Sequence, residues 1–304
     1  TNAFDHGIHS ESDSGTISVA TITGNTITSS TSTATSKGSG IQLIGTGNTS
    51  TAHSLTRALI DTNTIRNFPS GAGIQVNYGN ANTAGPGGRA GTNGSATDKI
   101  VITNNDARGQ SAAAGFNTNA VFFAVSGGNN VSRSQGNADI SNNVLHHSTG
   151  TTLAVGNNGF SDASVTVNGN TVNANNSLAV AGIGGGNGVV GASGTETPNL
   201  TVTVTNNFTS NTSGQGIFFV STSGGGAGVL RAKIQNNSVS AISTDGGSRA
   251  GIQITSGNTT SINDNVCLNI SGNTSVGSNL VPQGISLRRA NAAGVVFGVN
   301  GMAA

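Results

Sequence analysis

Eleven carboxylates, five histidines and one cysteine are the groups through which this chain can act as acid, base, nucleophile or metal ligand. Two chemistries suit a set dominated by carboxylates. Glycoside hydrolysis needs two acids facing one reacting centre. Elimination from an acidic sugar needs a basic residue beside several acids that hold a cation. The acids are Asp5, Glu11, Asp13, Asp61, Asp98, Asp106, Asp139, Asp162, Glu196, Asp245 and Asp264, spread along the whole chain. No spacing among them predicts a pair, and no catalytic residue is assigned.

The remaining groups lead to the same reading. His6 and His9, with Glu11 and Asp13 behind them, have the composition of a metal site. Residues three apart on a strand point to opposite faces, which separates the two imidazoles. His146-His147 reads as surface. Cys267 is the only cysteine, so no intrachain disulfide forms, and free cysteine usually behaves as a small buried hydrophobe. No metal and no cofactor is expected.

What positions these groups is a repeat. The pattern [Ile/Val]-x-x-Asn begins at Ile22-Thr23-Gly24-Asn25 and returns to end at Asn63, Asn105, Asn143, Asn170, Asn207, Asn237 and Asn265. A second series, Gly-Ile or its equivalent, places an apolar residue at positions 8, 41, 74, 121, 153, 183, 217, 252 and 285. The two series interleave strictly, so each unit of about 33 residues holds one of each.

Segments such as Leu200-Thr201-Val202-Thr203-Val204 alternate with a period of two, and no dozen residues show helical periodicity. Like strands lie a whole unit apart, which predicts parallel pairing between units instead of hairpins. The expected fold is all-β: a right-handed parallel β-helix of about nine coils, three short strands and one Asn-containing turn per coil. At about 4.8 Å per coil the rod is on the order of 40 Å long. The domain is read as 1–304, a segment of a longer chain. The Asn is expected at a corner, in the left-handed conformation it tolerates, with its amide bonded to its counterparts in a ladder. The ladder residues are therefore Asn25, Asn63, Asn105, Asn143, Asn170, Asn207, Asn237 and Asn265.

Three insertions, 79–98, 127–135 and 184–198, all follow a Gly-Ile strand and are expected to project from one edge of the rod. In solenoids such an edge often binds, and the candidate interaction loop is represented by Tyr78, Pro86 and Arg89. Charge narrows the partners. Twelve basic and eleven acidic residues leave a net charge of +1, which provides no electrostatic footprint for nucleic acid, and no apolar run reaches membrane-spanning length.

These repeats, with the closing stretch Cys267 to Asn273 followed by Gly284-Ile285-Ser286-Leu287, resemble the parallel β-helix repeat proteins. That superfamily includes pectate lyases, polygalacturonases, phage tailspikes and the repeat regions of bacterial surface proteins. The Asn-Thr-Asp, Asp-Asp, Gly-His-Gly and Arg-Ile-Lys signatures of polygalacturonases are missing, and Asn63-Thr64-Ile65 stands where the first is nearest. Low charge and a Gly/Ser/Thr/Asn bias look most like the large secreted or surface-anchored bacterial proteins. The resemblance implies a structural or adhesive solenoid, extracellular or at the cell surface, self-associating or binding a surface glycan or protein. The alternative is a β-helix that binds or cleaves polysaccharide as a lyase or hydrolase.

Overall fold

A computed structural model describes residues 6–29, 38–45, 53–80, 87–109, 116, 118–128, 130, 132–174, 181–190, 195–223, 227–240, 250–257, 264–276, 283–289 and 296–299. Within them the chain is a parallel β-helix with three sheets. We call the nine-stranded sheet A, the ten-stranded sheet B and the eight-stranded sheet C. Each coil visits them in that order. In the second coil, Ile41–Gly45 lies in A, His53–Asp61 in B and Thr64–Arg66 in C.

The period-two alternation decides which side chains enter the rod. In sheet A, Ile41, Ile74 and Val121 stack as register partners, and Leu43, Val76 and Phe123 form the next inward row. Ile60, Ile102, Ile140, Val167, Val204 and Ile234 do the same in sheet B. All of these are essentially fully buried. Burying one such side chain contributes about 1.5–3 kcal/mol, so the core grows by a similar increment with every coil.

The corner between sheets B and C uses two residues with different jobs. The left-handed position falls one residue before the ladder Asn, at Gly24, Thr62, Asn104, Asn142, Gly169, Asn206, Asn236 and Gly272. The sequence reading had assigned that conformation to the ladder Asn itself. The ladder residue instead keeps an ordinary φ and turns its amide along the axis. Asn25 donates both its backbone N–H and its Nδ2 to Asn63 Oδ1, at 3.0 and 2.9 Å. Asn63 repeats this to Asn105, Asn105 to Asn143, Asn143 to Asn170, Asn170 to Asn207, and Asn207 to Asn237. The same Nδ2 reaches back to the carbonyl of the residue that opens the preceding motif: Asn63 to Ile22, Asn105 to Ile60, Asn143 to Ile102. First and fourth motif residues are thus coupled between coils.

Asn265 does not belong to the ladder. It is the exposed first residue of the Asn265–Ser271 strand in sheet B, beside Val229. The ladder continues from Asn237 to Asn273, whose Oδ1 accepts both Asn237 donors at 2.9 Å. Asn273 closes Ile270-Ser271-Gly272-Asn273, a second match to the motif, and Gly272 supplies the left-handed residue. At the Ile262 match the third residue, Asp264, is instead a buried acceptor for the backbone N–H groups of Ser223 and Gly228.

The insertions are shorter than expected. Ile183–Gly188 is a strand of sheet A, so Gly184 to Gly188 pair instead of projecting. At Gly185 and Gly186 a Cβ would lie 1.8 Å from the carbonyl oxygens of Val155 and Val220, which reserves both positions for glycine. Likewise, Arg89–Ala90 forms a short strand of sheet B inside 79–98.

Candidate functional site

Where sheet A hands over to sheet B, the outward face carries one straight row: Thr16, Ser54, Arg89, Gln135 and Asp162 are successive register partners. Gly87, Asn130, Ser132 and Arg133 rise beside it, and His53 closes the inner side. Together they line a groove of about 590 Å³ that crosses five coils parallel to the axis. Two of the insertions predicted to share an edge therefore meet here.

One wall is a fixed clip. Arg133 binds Asp162 through two parallel bonds, Nε to Oδ2 at 2.7 Å and Nη2 to Oδ1 at 2.9 Å. It also donates to the Ser161 carbonyl at 3.0 Å, and to Thr197 Oγ1 at 2.9 Å and the Thr197 carbonyl at 2.6 Å in the next coil. Asn199 Nδ2 adds a third donor to Asp162 at 2.7 Å. Burial alone raises the Asp162 carboxyl, but the Arg133 and Asn199 bonds and the guanidinium charge outweigh it, holding the pKa below the usual range. Paired and hydrogen-bonded this way, Asp162 is an ionised structural group and a poor proton donor.

Beside the clip, the Arg89 side chain has no hydrogen-bond or ion-pair partner among the described residues, and neither does the Gln135 amide. Ser54 Oγ donates to Thr16 Oγ1 at 2.9 Å.

Of the three residues that represented the interaction loop, Arg89 lines this groove as an exposed side chain. Pro86 lies outside the described residues. Tyr78 is a correction: it is fully buried, because the inward alternation of Ile74 and Val76 continues through it. Its ring stacks on His53 with centroids 6.0 Å apart and occupies the space left by Gly45, where a Cβ would come within 2.5 Å of it. Burial pushes the Tyr78 phenol up to about 12. Period-two reading carried two residues further would have found this.

The other carboxylates whose bonds are described take separate sets of partners. Asp139 bonds Lys99 at 2.7 Å, and Asp61 accepts Asn104 Nδ2 at 2.9 Å. Asp106 is gripped by Arg66 and Arg108, each at 2.6 Å, and Glu196 accepts the Val190 N–H at 3.0 Å. Asp264 differs from the others: with no exposure, its carboxyl is raised by desolvation despite bonds from Ser223 and Gly228. No two of these acids share a partner.

The histidines are placed differently from the sequence reading. His6 and His9 stack, with ring centroids 4.6 Å apart, because His6 precedes the Ile8–Glu11 strand. His6 Nδ1 accepts the Ser39 N–H at 2.8 Å, and His9 lies 3.4 Å from Glu11. Among the described residues no three His, Cys, Asp or Glu gather as metal ligands. Cys267 is exposed, not buried, on the outward face beside Arg231.

A second ladder escaped the sequence reading. Asn157 Nδ2 donates to Asn187 Oδ1 at 3.0 Å and Asn187 Nδ2 to Ser221 Oγ at 3.1 Å, on neighbouring strands of sheet A. Its signal was a polar residue at an inward position, four places after the Gly-Ile apolar residue.

Compared with known proteins, the chain matches no family model, no curated protein and no solved structure.

Proposed function

We propose that this chain is the structural, adhesive β-solenoid of an extracellular or cell-surface protein or filament. The observation that carries the reading is how the acids are used: Asp61, Asp106, Asp139, Asp162 and Asp264 each bond a cation, an amide or a backbone N–H of a neighbouring coil and so tie coils together. A rod held by axial ladders transmits load along backbone and amide hydrogen bonds, and its few charges do little to repel neighbouring rods. The resemblance to bacterial surface repeats supports the same reading.

The test has two arms. Purified chain is incubated with acidic and neutral polysaccharides while new reducing ends and unsaturated products are followed, and no turnover is expected. Beads coated with the chain are then held under flow on glycan- or protein-coated surfaces, where retention above that of uncoated beads is expected. Polysaccharide turnover abolished by a single carboxylate substitution would overturn the proposal in favour of an enzyme, and so would the absence of any retention.

A further inference from the structure

We infer that the groove over sheet B binds a linear, carboxylate-bearing glycan, held at Arg89. The inference deepens the adhesive reading, on which it rests, by naming a ligand class and a site.

Three features of the groove select that class. Its shape is elongated along the rod: the four steps of about 4.8 Å between its five coils make a floor of about 19 Å, which suits an extended chain better than a compact metabolite. Its charge is a single open cation. Arg133 and Asp162 neutralise each other, while Arg89 stands unpaired among the described residues, in the middle of the row. Its remaining surface is hydroxyl and amide. Ser54 and Thr16 lie on one side of Arg89 and Gln135 on the other. A guanidinium offers two parallel N–H groups to a carboxylate, and neutral donors and acceptors flanking it match the hydroxyls of adjoining sugars.

The same lining disfavours other polymers. It contains no aliphatic and no tyrosine, phenylalanine or tryptophan side chain. A single-stranded nucleic acid would need aromatic platforms and several phosphate-binding cations, and a bound peptide usually anchors apolar side chains in pockets.

Rigid donors make the site selective. Gln135 sits on a strand one position from Ser134, whose Oγ accepts the Gly88 N–H at 3.0 Å and donates to the Ser126 carbonyl at 2.6 Å. This ties the strand bearing Arg89 to its neighbour before any ligand arrives, lowering the ordering cost of binding.

The experiment is calorimetric titration of the full chain at low salt with four probes: tetragalacturonate, a hyaluronan tetrasaccharide, maltotetraose and tetraglutamate. Saturable binding is expected for at least one uronate probe and not for maltotetraose or tetraglutamate. Arg89→Ala should weaken it about tenfold or more, the loss expected for a hydrogen-bonded charge, with an unchanged melting curve. Gln135→Ala should weaken it less. The double variant Arg231→Ala/Lys233→Ala removes two exposed cations of the same sheet outside the groove and should bind as the parent does. Failure of both uronate probes, equal binding of maltotetraose or tetraglutamate, or an equal loss in the double variant overturns the inference. Bead retention that survives Arg89→Ala would separate the two ideas: the adhesive reading stands, and this ligand is not its basis.

Discussion

Replacing Asn143 by leucine tests whether the ladder stabilises the rod or merely decorates it. Asn143 is fully buried. Its Oδ1 accepts the Asn105 backbone N–H and Nδ2, both at 3.0 Å, and its Nδ2 donates to the Ile102 carbonyl and Asn170 Oδ1, both at 2.9 Å. Asn105 Nδ2 retains carbonyl partners at Ile60 and Thr103, and Asn170 Oδ1 retains the Asn143 N–H. Two backbone groups lose their amide partners: the Asn105 N–H and the Ile102 carbonyl. At about 1–3 kcal/mol for each buried unsatisfied group, and with a small offset from the added apolar surface, the expected loss is about 3 kcal/mol.

The same substitution at Asn25 orphans far less, because Asn25 is only half-buried at the first rung and donates without accepting from another ladder amide. Its expected cost is below about 1 kcal/mol. Solenoids need not unfold in one step, so hydrogen exchange should be read with the urea midpoint. For Asn143→Leu the midpoint should fall, and amides of the corners at 105 and 170 should exchange about a hundredfold faster than in the parent. Equal midpoints for the Asn143 and Asn25 variants would refute the ladder as a source of stability.

Three further outcomes follow from the same geometry. Among the described residues Thr62 is the only β-branched one at the left-handed corner, with φ 54° and an exposed side chain. Thr62→Asn should raise stability by about 1 kcal/mol, read as a higher urea midpoint, Asn104→Thr should lower it by a similar amount, and no change in either would remove strain from the account. His146 and His147 have pKa values lowered by burial and then by the Arg108 charge. The unfolded chain therefore binds more protons below about pH 6.5, so stability present at neutral pH should decline as pH falls through the folded values. The double variant His146→Gln/His147→Asn should flatten that limb, and an unaltered pH profile would contradict it. Cys267, exposed on sheet B, should react fully with a maleimide in native buffer. Reaction only in urea would show that the residue is buried.

Fold was legible because two independent periodicities had to coexist. Alternation with a period of two, in segments like 200–204, fixed which side chains enter the core. Interleaving of the Asn and Gly-Ile series fixed one of each per coil, so like strands had to stack in parallel. The groove was legible only in part. Insertions following sheet A strands pointed to one edge, and Arg89 was among the residues read there, but Gln135 and Asp162 come beside it only through a register spanning three coils. No linear spacing announces that row, since the intervals between its members depend on insertion lengths. Tyr78 was misplaced because a strand end was assumed where the alternation in fact continued.

The mistaken rung at Asn265 shows what the motif encodes physically. Its first residue gives a carbonyl to the next coil, its third takes positive φ, and its fourth carries the amide. Only the first and fourth entered the pattern used to read the sequence. Requiring Gly or Asn at the third place, the residues with least resistance to the left-handed region, excludes the Ile262 match and admits Ile270-Ser271-Gly272-Asn273. It would miss Thr62 and would still admit Val155-Gly156-Asn157-Asn158, which lies inside the sheet A strand Leu153–Gly159. The corner is therefore specified by backbone conformation first and side-chain bonding second: each ladder Asn turns its amide onto the axis where the residue before it takes positive φ, as even Thr62 does before Asn63. Asn265 has Asp264 before it, and that carboxylate accepts the Ser223 and Gly228 N–H groups, so the chain runs straight into a sheet B strand where the pattern alone had placed a corner.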